Sequence, residues 1–114
     1  MLRIIFWLLV AGILGISTMP AQDAPTVFAD DKLNHLLAFF VLSFMARIVW
    51  LHFNSVILFI LLATFGGAIE MLQFSMGFGR DADWGDFAAD VVAIIIGMSS
   101  AHLINKMRNK TSIE

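Results

Sequence analysis

Four apolar runs leave this chain few choices of fold. They cover residues 2–19, 33–51, 55–76 and 84–104, and each is close to the roughly 20 residues that carry an α-helix across a bilayer. The second run is broken only by Asn34, His35, Ser43 and Arg47; the third carries Glu70 and Gln73 towards its end, and the fourth contains Asp86 and Asp90. Of 114 residues, 60% are hydrophobic and 14% charged, against about half and about a quarter in soluble domains. A soluble chain of this length has no core large enough to hide that excess. Backbone groups in hydrocarbon must pair within their own segment, so helices are expected despite the Ile and Val content. The expected fold class is all-α, a polytopic transmembrane bundle of about four helices. It forms one domain over residues 1–105, followed by a short, basic, mobile tail over 106–114. The short connection Leu51-His52-Phe53-Asn54 makes the second and third spans an antiparallel helical hairpin.

Composition removes several classes of function. The chain has no Cys, which excludes disulfides, thiolate metal sites and cysteine nucleophiles. Its net charge is −2, and no basic patch is large enough to read as a nucleic-acid surface. Arg3, the first apolar run and the region Ser17-Thr18-Met19-Pro20-Ala21 have some look of a secretory signal. Only Gly15 with Ser17 offers an acceptable pair of small residues for cleavage, so a retained anchor is expected. Arg3, Arg47, Lys106, Arg108 and Lys110 fall on one side of a four-pass topology, and Lys32 and Arg80 on the other. The positive-inside rule then places both termini in the cytoplasm.

That topology gathers the polar residues at one level. His35 lies about one turn below the extracytoplasmic end of span two, while Glu70 and Asp90 each lie about 9 Å below the same surface at 1.5 Å rise per residue. Asp31 and His35 are spaced four apart, Glu70 and Gln73 three apart, and Asp86 and Asp90 four apart, so each pair shares a helix face. Ionisable groups inside a span are costly unless they face protein or water. Three helices are therefore expected to share one polar cluster, beneath a loop containing Arg80.

Each member has a plain reading beside a sharper one. Asp31 is a first-turn acid favoured by the helix dipole, or it orients His35 while Lys32 offers positive charge to an anionic head group. His35 packs at the interface, or it carries protons as an acid or base. Glu70 fixes helix packing through His35 or Arg80, or it acts as general acid or proton acceptor. Gln73 is a hydrogen-bond orienter in the cluster or a simple interhelical tie. Arg80 has a planar fork suited to phosphate or carboxylate, or it balances Asp81 and Asp83 at the surface. Asp83 and Asp86 also read as acids at a helix N-terminus. Asp90 lies deeper, where it makes a carboxylate pair with Glu70, contacts His35 or Arg80, or binds a cation. Glu70, Asp86 and Asp90 supply oxygens for a hard divalent ion, but their spacing establishes no metal site, and one histidine without cysteine is a weak zinc set. No cofactor or metal is expected. Trp7, Trp50 and Trp84 lie near span ends as aromatic belt residues do, Arg47 snorkels to the inner boundary, and the pairs Gly12/Gly15 and Gly66/Gly67 invite close helix approach.

Three short motifs in this order carry a resemblance. Asp31-Lys32-Leu33-Asn34-His35 has the form D-K-x-x-H and leads into Leu36-Leu37-Ala38-Phe39-Phe40; Glu70-Met71-Leu72-Gln73 has the form E-x-x-Q; and Arg80 to Asp86 has the form R-x5-D. Together they make residues 30 to 100 resemble the VanZ-like family of small multi-pass membrane proteins, named after a member linked to low-level resistance to the glycopeptide teicoplanin. The family usually has asparagine where this chain has Asp90, and commonly glycine where it has Ala93; Gly97 follows the pattern. The resemblance implies a joint site role for Asp31, Lys32 and His35. Two main functions stay open. One is binding or modification of an anionic membrane lipid or lipid-linked cell-envelope precursor at the outer leaflet of the cell membrane, with Asp31, Lys32, Gln73, Arg80, Asp83 and Asp90 holding it. The other is enzymatic attack on such a head group, with His35, Glu70 and Asp86 as catalytic residues. A structural or transport accessory is a third.

Overall fold

A computed structural model describes the backbone of residues 1–18, 31–76 and 84–113. They form four helices, α1 (Leu2–Ser17), α2 (Asp31–Val49), α3 (Ser55–Met76) and α4 (Trp84–Ile113), with no strand among the described residues. The fold is all-helical, as the apolar runs require.

The turn between α2 and α3 has a clear local cause. Trp50 N–H still donates to the Ala46 carbonyl at 3.0 Å, and Phe53 N–H donates to the Trp50 carbonyl at 3.2 Å. Arg47 then folds back over the turn, its Nη1 donating to the Phe53 carbonyl and its Nη2 to the Leu51 carbonyl, each at 2.7 Å. Carbonyls at a helix C-terminus lack intrahelical partners, and a basic side chain in the last turn can supply them. The side chain is 8% exposed, its guanidinium held over the end of the helix. Asn54 starts α3, its Oδ1 accepting from the N–H groups of Val56 at 2.9 Å and Ile57 at 3.2 Å, the bonding of an N-cap.

Helix α4 also departs from expectation. It runs on to Ile113, so the basic tail read as mobile is helical, and no Gly or Pro after Gly97 interrupts it. Its 30 residues measure about 45 Å at 1.5 Å per residue, most of the 54 Å long dimension of the molecule.

Helices α2 and α4 form the tightest pair. They run in the same direction, because His35 meets Asp90, Ser43 meets Ala93, and Phe40 and Phe44 meet Gly97. Ala93, Gly97 and Ala101, four apart on one face, are buried, the first two against Ser43. A Cβ on Gly97 would lie 2.7 Å from the Phe40 carbonyl oxygen and would also collide with Ser43 Oγ. Small residues at this spacing let helix backbones approach closely. Ser43 is buried there, its Oγ donating to the Phe40 carbonyl at 3.1 Å and lying 3.4 Å from that of Ala93.

The other two helices run the opposite way. Gln73, near the end of α3, donates to the Ser17 carbonyl at the end of α1 at 3.2 Å. Phe6 and Trp7, near the start of α1, meet the Trp50 ring just past the end of α2 with centroids 4.9 and 6.3 Å away. Thus α2 and α3 are antiparallel neighbours in sequence, yet the main partner of α2 is α4. Gly66 packs against Asp90 and Phe39, and Gly67 against Phe87, whereas a Cβ on Gly12 or Gly15 would meet nothing within 4 Å. Close approach at Gly12 and Gly15 is therefore not observed; that face of α1 is open.

Apolar side chains fill the centre, with Phe39, Leu42, Ile69 and Ile94 buried, but they also cover the outside of all four helices. His35, Ser43, Arg47, Glu70, Gln73, Asp86 and Asp90 are all buried. Two segments, Ser55–Ser75 and Gly85–Arg108, are long and apolar enough to cross a membrane, and only 28% and 33% of their most apolar windows are buried within the protein. The described apolar parts of α1 and α2, Leu2–Ser17 and Leu33–Val49, are shorter.

Candidate functional site

The helix directions bring the starts of α2 and α4 and the end of α3 to the same end of the molecule. His35 stands one turn into α2, Glu70 near the end of α3, and Asp90 on the second turn of α4. Helical geometry alone therefore puts them at one height, and the close α2–α4 contact puts them side by side.

The three side chains meet. His35 Nδ1 lies 3.0 Å from Asp90 Oδ1, a buried hydrogen bond between residues 55 positions apart. His35 Nε2 lies 4.0 Å from Glu70 Oε1. One ligand-type atom from each residue falls within 4.8 Å of the other two. Exposure is 9% for His35, 3% for Glu70 and 0% for Asp90. A carboxylate accepting from one ring nitrogen fixes the imidazole tautomer and leaves the other nitrogen to work. With Asp90 at Nδ1, the second nitrogen, Nε2, faces Glu70.

Of the contacts weighed for Asp90, the structure shows the one with His35: the carboxylate at Nδ1 belongs to Asp90 on α4. Gly66 makes room for it, since a Cβ there would come within 3.0 Å of Asp90 Oδ2 and 3.4 Å of Asp90 Cβ. The α3 backbone thus closes on one side of the carboxylate while His35 holds the other.

The remaining candidates divide. Asp86 is buried in the first turn of α4, one turn before Asp90. Gln73 is buried three residues after Glu70, and its amide ties α3 to α1 through the Ser17 carbonyl, the interhelical alternative considered for it. Arg80 and Asp83 lie outside the described residues, as do the side chains of Asp31 and Lys32. Sequence reasoning passed over Ser43 and the row Ala93, Gly97, Ala101, which set the α2–α4 distance on which the His35–Asp90 bond depends. The spacing of four between these small residues was the available signal.

A second feature lies towards the opposite end. Phe6, Trp7, Val10, Leu42, Trp50 and Phe65 help line an apolar cavity of about 330 Å³ between α1, α2 and α3. Arg3 Cζ sits 5.9 Å from the centroid of the Trp50 ring beside it, within cation–π range.

No protein-family model, curated protein or solved structure matches this chain.

Proposed function

We propose that this chain is a four-pass, VanZ-like membrane protein that binds or modifies an anionic lipid or lipid-linked envelope precursor, using a polar site at the extracytoplasmic end of its bundle. The convergence of His35, Glu70 and Asp90 from three helices carries the reading. Three ionisable groups buried together are costly for a small protein, and such convergence of titratable groups is characteristic of functional sites. The membrane setting is supported by the placement of polarity, with acids, an imidazole and an amide inside and large apolar side chains outside. The low burial of the two longest apolar segments is unlike that of a soluble core helix, which is covered by its neighbours. Basic residues favour cytoplasmic termini, which puts the site at the outer leaflet. Lys32 and Arg80 supply the positive charge for the head group in this reading.

One observation favours the catalytic form of the same proposal. Asp90 holds His35 Nδ1 at 3.0 Å, and Nε2, 4.0 Å from Glu70 Oε1, is the nitrogen that exchanges a proton in this reading. Asp86, one turn from Asp90, is the further acid within reach of the same helix face.

Purification in native lipid followed by lipid mass spectrometry tests the binding role. Anionic lipid should co-purify with the chain, and Lys32→Ala combined with Arg80→Ala should reduce it at least about tenfold, the effect of losing about 1.4 kcal/mol or more. Equal retention of neutral and anionic lipids by both proteins would remove the proposal. Turnover of defined envelope lipids that persists in folded His35→Ala and Glu70→Gln proteins would remove the catalytic form alone.

A further inference from the structure

We propose that His35, Glu70 and Asp90 form a mononuclear site for a divalent cation of borderline hardness, of the Mn²⁺ or Zn²⁺ kind, with open coordination positions for water or a phosphate oxygen. Each residue comes from a different helix, offers a good ligand atom and is at least nine-tenths buried. A single cation placed among them contacts all three.

The distances suit this. With metal–ligand bonds of about 2.1 Å, neighbouring ligand atoms in an octahedral site are about 3.0 Å apart, the separation found between His35 Nδ1 and Asp90 Oδ1. Glu70 offers an oxygen within 4.8 Å of a ligand atom on each of the other two residues, on a long side chain that closes the remaining distance by changing rotamer. Asp90 is fixed between the imidazole and the Gly66 backbone, a restraint of the kind that orients metal ligands. Imidazole with carboxylates suits Mn²⁺ or Zn²⁺, whereas Ca²⁺ and Mg²⁺ prefer oxygen alone. A bound dication would also let an acidic pocket accept a phosphate-bearing head group, since the ion contacts the phosphate and the carboxylates hold the ion.

The cation site uses the residues of the lipid reading without requiring it. Metal-loaded protein that retains no anionic lipid would refute only the lipid reading, and metal-free protein that retains it would refute only the cation site.

Equilibrium dialysis of the full chain in lipid nanodiscs against Mn²⁺, Zn²⁺, Mg²⁺ and Ca²⁺, with metal content by elemental analysis, is the test. One Mn²⁺ or Zn²⁺ per chain is expected. Glu70→Gln and Asp90→Asn should each weaken binding at least about tenfold. Gly66→Ala, which retains all three ligands but presses on Asp90, should weaken it as well. Mn²⁺ should broaden the His35 ring resonances in wild-type protein, a readout that needs no variant to fold. Substoichiometric metal, affinity unchanged in Glu70→Gln, preference for Mg²⁺ or Ca²⁺, or sharp His35 signals in Mn²⁺ would each overturn the site.

Discussion

At the scale of single residues, the polar groups inside this molecule do two different jobs. Arg47 and Gln73 satisfy backbone carbonyls, at the α2–α3 turn and at the end of α1. His35, Glu70 and Asp90 face one another instead. The first job predicts a stability effect. Arg47→Lys keeps the charge but loses the fork that reaches two carbonyls at once. Thermal denaturation in detergent should show a loss of about 1.5–3 kcal/mol, as for hydrogen bonds made by a charged group. An unchanged midpoint would mean that the two 2.7 Å bonds contribute little. Sequence placed Glu70, His35 and Asp90 correctly in height because helical rise is fixed. It left the contact between Asp90 and His35 as one alternative among several, because whether it forms depends on how far apart two helices pack.

At the scale of helices, glycine context decides which substitutions are tolerated. Gly97→Ala would bring a Cβ against the Phe40 carbonyl and Ser43 Oγ, forcing α2 and α4 apart. Overpacking of this kind costs about 1–3 kcal/mol. Gly12→Ala and Gly15→Ala meet nothing within 4 Å, so they should be neutral or stabilising by up to about 1 kcal/mol through helix propensity. Thermal melts of the three variants make an internally controlled comparison; equal behaviour would show that the α2–α4 contact is looser than described. The same contact couples stability to the site, because Ala93 and Gly97 lie one and two turns below Asp90. The sequence holds large and small side chains alike at spacings of four in several places, so spacing marks candidate contacts, and only packing selects Gly97 over Gly12.

At the scale of the whole molecule, alternating helix direction brings the starts of α2 and α4 and the ends of α1 and α3 together at one end, with the α2–α3 turn towards the other. The absence of Cys makes the proposed orientation accessible to single-cysteine labelling without background. His52→Cys and Lys106→Cys should react from the cytoplasmic side only, and Asp23→Cys from the outside only, when intact cells are treated with a membrane-impermeant maleimide. Opposite accessibility of His52→Cys and Lys106→Cys would exclude the four-pass arrangement.

The apolar runs by themselves determined helices, their number and their approximate limits, because backbone hydrogen bonding in an apolar setting is satisfied within each segment and needs no knowledge of neighbours. The height of each ionisable group followed from the same local rise. Helix partnership did not. That α2 pairs chiefly with α4 and that Asp90 grips His35 both depend on which side chains meet across a distance in sequence. Close packing between helices settles those matters, and it is decided by the fit of whole faces rather than by any local pattern.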